Sequence, residues 1–353
     1  MINRLLNETE AQAVLITDPV SMRYISGFRG GEGAVYLSGN RRVLITDSRY
    51  TEAAAAESEF TVAEESAERK RHEILEELLK EDRVETLAYE DLSMRCSELF
   101  ELQEKLPFVR KWERLGSRAD DLRRIKTEDE IAKMETAAGI ADKAFEILLG
   151  MLKPGMTEKE GACELEYQMK KLGAEKTSFD TIFASGANSS MPHAIPSDKK
   201  LEAGDFVTID FGCMIDGYCS DMTRTIVLGR ADEKQKEIYN IVLRANEAAL
   251  AGLKAGVRGC DVDAIARKII SDAGYGPYFG HGLGHSVGLY IHENPRLSKT
   301  DDSVLQENMI ETVEPGIYLP GWGGVRIEDM VVVTKDGYRF LCHSPKELIE
   351  LGV

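Results

Sequence analysis

The chain has 353 residues, 43% of them hydrophobic, which is enough material for two domains with ordinary cores. Its 44 Lys and Arg stand against 61 Asp and Glu, and the net charge of −17 argues against nucleic acid or an anionic membrane as an obligate partner. No apolar run reaches the roughly 18 residues of a membrane span and the first residues, MINRLLNETEAQAV, lack a leader-like apolar core, so a cytoplasmic protein is expected. Cys96, Cys163, Cys213, Cys219, Cys260 and Cys342 are scattered without a CxxC pair and read as free thiols of a reducing compartment.

From Ala13 the pattern predicts short strands at 13–17, 22–28, 33–39 and 41–46, then helices at about 50–57 and 67–80, where Ile74, Leu75, Leu78 and Leu79 mark one face. This is an α/β unit without a concentrated site. Its one histidine, His72, lies among charged neighbours in RKRHE and reads as solvated. The charged, weakly patterned stretch from Lys111 to Arg124 places a domain boundary near residue 120, which divides the chain into 1–120 and 121–353.

The second domain opens with a capping box at Thr127 and Glu130, after which Ile131, Met134, Ala138, Ala141, Phe145, Leu148 and Leu152 recur at helical spacing until Pro154-Gly155. Thr157 and Glu160 open a second helix ending at Gly173. Helices at about 233–253 and 261–274 repeat the arrangement at a constant offset, which suggests two related halves. Each helix pair is followed by a ribbon with two acids: Asp210 and Asp221 in the first, Glu314 and Glu328 in the second.

In the first ribbon, VTIDFGCMIDGYCSDMTRTIVL, Asp216-Gly217 is a strong two-residue turn signal. That turn would set Ile215 opposite Tyr218 and Asp210 opposite Thr223, with Asp221 on the same face as Asp210. Acids on a strand pair ordinarily face water. Here Val207, Ile209 and Phe211 take the other face, so the acids must meet water or a cation, and a metal relieves the repulsion between neighbouring carboxylates. The second ribbon runs from Met309 to Leu319, turns through Pro320–Gly324 and returns as VRIEDMVVV, with Glu328 among core-like residues. Between the ribbons GHGLGHSVGLYIHENP carries His281, His285 and His292, and an earlier loop, SGANSSMPHAIP, carries His193. GHGLG is not a nucleotide loop, because no strand-to-helix GxGxxG with a downstream acid is in place.

The order Asp210, Asp221, His285, Glu314, Glu328, in the phrases IDFG, SDMTRT, GHGLGHSVG, VEPGIY and VRIED, resembles the pita-bread metallopeptidases, in their aminopeptidase P and prolidase (Xaa-Pro dipeptidase) branch. The resemblance covers the whole chain. It implies an α/β N-terminal domain over 1–120 and an α+β catalytic domain of pita-bread fold over 121–353, with pseudo-two-fold halves. It also implies that the five residues hold two divalent metal ions, with Asp221 and Glu328 bridging. Four oxygen-donor residues and one imidazole suit Mn²⁺, with Zn²⁺, Co²⁺ and Fe²⁺ as other occupants. By the same resemblance His193 and His292, with Glu314, serve catalysis, and His281 and Arg326 line the pocket for the proline side of the bond. Arg326 could equally pair with a ligand carboxylate.

The expected activity is hydrolysis of Xaa-Pro dipeptides, with aminopeptidase P cleavage of Xaa-Pro-Yaa as the alternative, in a homodimer acting on small peptides. A methionine aminopeptidase shares the ligands, but its small bacterial forms lack a domain like 1–120. A creatinase-like hydrolase and a non-catalytic binding module on this fold lose ligands that this chain keeps.

Overall fold

In the computed structural model, which describes residues 2–352, the chain divides into two compact units, 1–123 and 124–353. The first unit runs α1 (Ile2–Asn7), β1 (Ala13–Ile16), α2 (Pro19–Ser26), β2 (Ala34–Ser38), β3 (Arg42–Asp47), α3 (Thr51–Glu57), β4 (Thr61–Glu65), α4 (Arg71–Glu81), β5 (Thr86–Tyr89), α5 (Cys96–Lys105), β6 (Lys111–Arg114) and the short α6 (Arg118–Asp121). Six strands form one mixed sheet in the order β4-β3-β2-β1-β5-β6. β1 and β2 are buried on both faces, so successive residues feed different cores. Ala13 and Leu15 join Ile74, Leu75 and Leu79 of α4, whereas Val14 and Ile16 join Met22 and Ile25 of α2.

Three details differ from the sequence reading. Residues 22–28 are not a strand: Asp18 accepts a hydrogen bond from Ser21 N, Pro19 opens a helix, and Gly27 closes it at φ 82°. The helix expected from residue 67 begins at Arg71, after the unforeseen strand β4. His72 is half-buried on α4 rather than solvated.

The second unit carries α7 (Glu128–Leu149), α8 (Glu158–Lys171), β7 (Ile182–Ser185), β8 (Phe206–Phe211), β9 (Met214–Ile215), β10 (Tyr218–Cys219) and β11 (Met222–Leu228). There follow α9 (Glu233–Gly252), α10 (Gly259–Asp272), β12 (Gly284–Ser286), β13 (Glu293–Leu297), β14 (Ile310–Val313), β15 (Gly316–Leu319), β16 (Gly323–Arg326), β17 (Asp329–Val333), β18 (Tyr338–Phe340) and β19 (Ile349–Leu351). Capping boxes at Thr127 and Thr157 start α7 and α8. One helix pair accompanies each sheet, β19-β11-β8-β7 and β13-β12-β14-β17-β18.

Asp216 and Gly217 both take positive φ, 46° and 71°, as a tight hairpin turn of this twist requires. Ile215 pairs with Tyr218 and Asp210 with Thr223, so one register runs the length of the ribbon. It is interrupted between its inner and outer parts at Gly212, where a Cβ would lie 1.9 Å from Ser220 O. The second ribbon is interrupted as well, where the sequence suggested continuous strands. β14 pairs with β17 and β15 with β16, and the break falls at Glu314-Pro315, because proline has no N–H for the ladder. Acids thus stand at the breaks of both ribbons.

Hydroxyls join the two ribbons. Thr208 Oγ1 bonds Gly324 O at 3.2 Å, Thr225 Oγ1 bonds Arg326 O at 2.9 Å, and Glu328 N donates to Thr223 O at 3.1 Å. The polar face of the first ribbon therefore faces the second ribbon. Arg224, fully buried, ties the same seam by bonding Asp329 at 2.9 Å and the carbonyls of Thr223, Glu328 and Ser344.

Candidate metal centre

Asp210, Asp221, His285, Glu314 and Glu328 line one cavity of about 820 Å³ in the second unit, together with His193, His281, His292 and Arg326. All nine residues singled out in the sequence meet there. Asp221, His285 and Glu328 each offer a donor atom within 4.8 Å of the others. His285 Nε2 lies 3.5 Å from Asp221 Oδ2 and 3.6 Å from Glu314 Oε1, too long for hydrogen bonds.

Backbone packing places the imidazole. A Cβ at Gly284 would fall 1.9 Å from Thr312 O, so only glycine lets β12 approach β14 this closely. His285 N then donates to Thr312 Oγ1 at 3.1 Å. Upstream, buried Asp263 accepts from Leu283 N at 3.1 Å, and Arg267 donates to the carbonyls of Phe279 and His281. The GHGLGH loop is therefore held from α10.

The acids repel one another. Burial, and then Glu328, Asp210 and Glu314, push the Asp221 carboxyl well above its usual range, and burial followed by Glu328 does the same to Glu314. Glu328 is pushed up to about 8, by burial first and Asp210 next, even though Thr223 Oγ1 donates to it at 2.7 Å. Burial lowers His285 to about 3, and its imidazole is neutral with a lone pair to offer. Asp210 Oδ1 is buried without a hydrogen-bond partner. Crowded carboxylates, an orphaned oxygen and a neutral imidazole together fit divalent cations.

Arg326 is committed to this centre. Its Nη2 donates to Asp210 Oδ2 at 2.6 Å, Nε to Thr223 Oγ1 at 3.0 Å, and Nη1 to Tyr318 OH at 2.8 Å and Pro192 O at 3.3 Å. Tyr318 OH in turn lies 3.0 Å from His281 Nε2. Because His281 Nδ1 faces Gly282 O at 2.8 Å, Nδ1 carries the proton and Nε2 accepts from the tyrosine. Burial, then Arg326, lowers His281 to about 4. It is a wall residue whose Nδ1–H is taken up by Gly282 O and whose Nε2 is taken up by Tyr318 OH.

His193 and His292 are more exposed, and the His292 ring stands 4.5 Å from that of His285, edge to face. Burial and Arg296 lower the pKa of His292. The sequence reading did not single out Arg296 or Tyr318, because neither position carries a local signal. Arg296 lines the cavity, and its guanidinium makes no hydrogen bond or ion pair among the described residues. The six cysteines are free; Cys213 and Cys219 are buried as small hydrophobes beside the hairpin.

This architecture and donor set define a metallopeptidase. Residues 132–335 match the model of metallopeptidase family M24, and residues 2–125 match the creatinase/prolidase N-terminal domain. The chain belongs to metallopeptidase family M24. It is 42% identical to the Xaa-Pro dipeptidase of Pyrococcus furiosus, over 98% of this chain and 97% of that one. The solved structure of an Xaa-Pro dipeptidase from Bacillus anthracis superposes with a TM-score of 0.96 at 43% identity, covering 99% of each chain. An X-Pro aminopeptidase from Thermotoga maritima superposes with a TM-score of 0.91 at 40% identity, covering 98% of this chain and 99% of that one. No helix among the described residues is long and apolar enough to cross a membrane.

Proposed function

We propose that the chain hydrolyses Xaa-Pro dipeptides, holding two divalent cations, Mn²⁺ first among them, on Asp210, Asp221, His285, Glu314 and Glu328. Bound ions supply Lewis-acid polarisation of the scissile carbonyl and activation of the nucleophile. The chain's own residues do the rest. Glu314 stands 3.6 Å from His285 at the reacting end of the cavity. His193 and His292 line its wall, and in this reading they pass a proton to the proline nitrogen as it leaves. His281 and Tyr318 form the wall against which the pyrrolidine ring rests.

The observation that carries the choice of dipeptides is the unequal state of the two arginines on the cavity wall. A dipeptidase must hold the proline carboxylate. Arg326 is engaged by Asp210, Thr223, Tyr318 and Pro192 O, while the Arg296 guanidinium is free to form a charge-assisted pair with that carboxylate. Comparison of kcat/KM on Ala-Pro, Ala-Pro-amide and Ala-Pro-Ala tests this. Ala-Pro is expected to be preferred at least tenfold, and Arg296→Met is expected to remove most of that preference, a charged hydrogen bond being worth about 1.5–3 kcal/mol. A preference for the tripeptide would assign the chain to aminopeptidase P cleavage instead.

Residues 1–120 are proposed to limit access to the catalytic domain, 121–353, and to support a homodimer. Light scattering is expected to give twice the chain mass. A monomer at working concentration, together with equally selective cleavage by residues 121–353 alone, would contradict both roles.

A further inference from the structure

Glu158 opens α8, yet it is fully buried, whereas acids in a first helical turn ordinarily face water. Its Oε1 accepts from Ser185 N at 2.7 Å and Ser185 Oγ at 2.9 Å, and its Oε2 accepts from Ser197 N at 3.0 Å and Ser197 Oγ at 2.6 Å. Asn188 Nδ2 donates to both oxygens, at 3.1 and 3.2 Å. Ser185 and Ser197 are the two ends of the loop that carries His193. One carboxylate therefore closes that loop at its base. The loop body is held on the second ribbon at two points: Gly324 N donates to Ser189 Oγ at 2.9 Å and Arg326 Nη1 to Pro192 O at 3.3 Å. Beyond His193 its surface is open, with Ile195 86% exposed.

We propose that Glu158 is a positioning residue that fixes His193 over the candidate metal centre. The proposal rests on the assignment of His193 to proton transfer in the reaction above. A carboxylate is the one side chain of this length that closes both ends. Each of its oxygens faces a backbone N–H, and a backbone N–H cannot turn round as a hydroxyl can. A glutamine at this position would set its own N–H groups against Ser185 N or against Ser197 N, whichever way the amide faced. Glu158→Gln keeps the volume and breaks the side-chain tie to one end of the loop, leaving that end on its backbone bonds, Ser185 to the β8 strand or Ser197 O to Lys159 N at 3.2 Å.

A double-mutant cycle of Glu158→Gln and His193→Ala, read as kcat and KM on Ala-Pro with metal content and melting temperature alongside, tests the proposal. His193→Ala is expected to lower kcat/KM about a hundredfold. Glu158→Gln is expected to lower it about tenfold or more, chiefly in kcat, with metal content unchanged, since small misplacements of a reacting group are costly in rate. In the His193→Ala background the same change should alter kcat/KM by less than about twofold. A full multiplicative loss in that background, or parental activity of Glu158→Gln alone, overturns the clamp. If His193→Ala retains parental activity, the His193 assignment falls and the clamp falls with it, whereas multiplicative losses overturn the clamp alone. Should Glu158→Gln not fold, the pair Ser185→Ala with Ser197→Ala removes both hydroxyl donors and leaves the carboxylate. Its loss must likewise vanish in the His193→Ala background, and persistence there refutes the proposal.

Discussion

Asp221→Asn is expected to lower kcat/KM on Ala-Pro by a factor on the order of a thousand, and to lower bound metal in parallel. Asp221 is buried at the break of the first ribbon and belongs to the group whose donor atoms lie within 4.8 Å of one another. The carboxamide keeps the shape and removes the charge that a cation needs. Its melting temperature in chelator should not fall, because the change relieves repulsion with Glu328, Asp210 and Glu314. That combination separates loss of metal from loss of fold. His72→Ala, on α4 and outside the cavity lining, is the control and should keep parental activity. Exhaustive chelation should abolish turnover, with Mn²⁺ or Co²⁺ restoring it; full hydrolysis by verified metal-free protein would sink the assignment.

The second large effect is on stability. Arg326→Met removes the partner of Asp210 Oδ2 from a carboxylate whose other oxygen already has none, and strips donors from Tyr318, Thr223 and Pro192 O. Breaking a buried ion pair from one side typically destabilises by about 3–5 kcal/mol, and that loss is expected in urea melts with chelator present. Adding Asp210→Asn should restore part of it, with a coupling of about 0.5–3 kcal/mol between the two sites. An Arg326→Met variant within about 0.5 kcal/mol of the parent would show that the pair holds nothing.

What the sequence made legible is what local chemistry determines. Asp216-Gly217 permits the positive φ that a tight hairpin needs, and that turn sets the register that puts Asp210 opposite Thr223. Capping boxes at Thr127 and Thr157 marked two helix starts for the same reason. Residues 22–28 misled because Met22, Tyr24, Ile25 and Phe28 suit a strand, while the Asp18-Pro19 start and Gly27 stop decided for a helix. That the five candidate ligands meet was legible only through resemblance, since their spacing in the chain says nothing about distance. Tyr318 and Glu158 were out of reach because their partners lie far along the chain, and Arg296 because nothing local shows that it lines the cavity. Glu311 is a further case: it is fully buried on β14, both oxygens lack a partner, and burial pushes its carboxyl well above the usual range.

The threonine seam between the ribbons has a thermodynamic consequence. Asp210 and Asp221 come from one half of the unit, His285, Glu314 and Glu328 from the other, and their approach depends on bonds such as Thr225 Oγ1 to Arg326 O. Ions that bind this set favour the joined halves over every separated state. Metal activity and cohesion of the halves are then linked by mass action: a hundredfold excess over the dissociation constant adds about 2.7 kcal/mol for each ion. Without ions the carboxylates repel one another, and the halves are held by the seam, by the Arg326–Asp210 and Arg224–Asp329 pairs, and by the core that Phe206 and Val227 share with Ile317, Val325 and Val331. If the five residues hold the ions as proposed, metal supply adds to the stability of the joined halves as well as to activity.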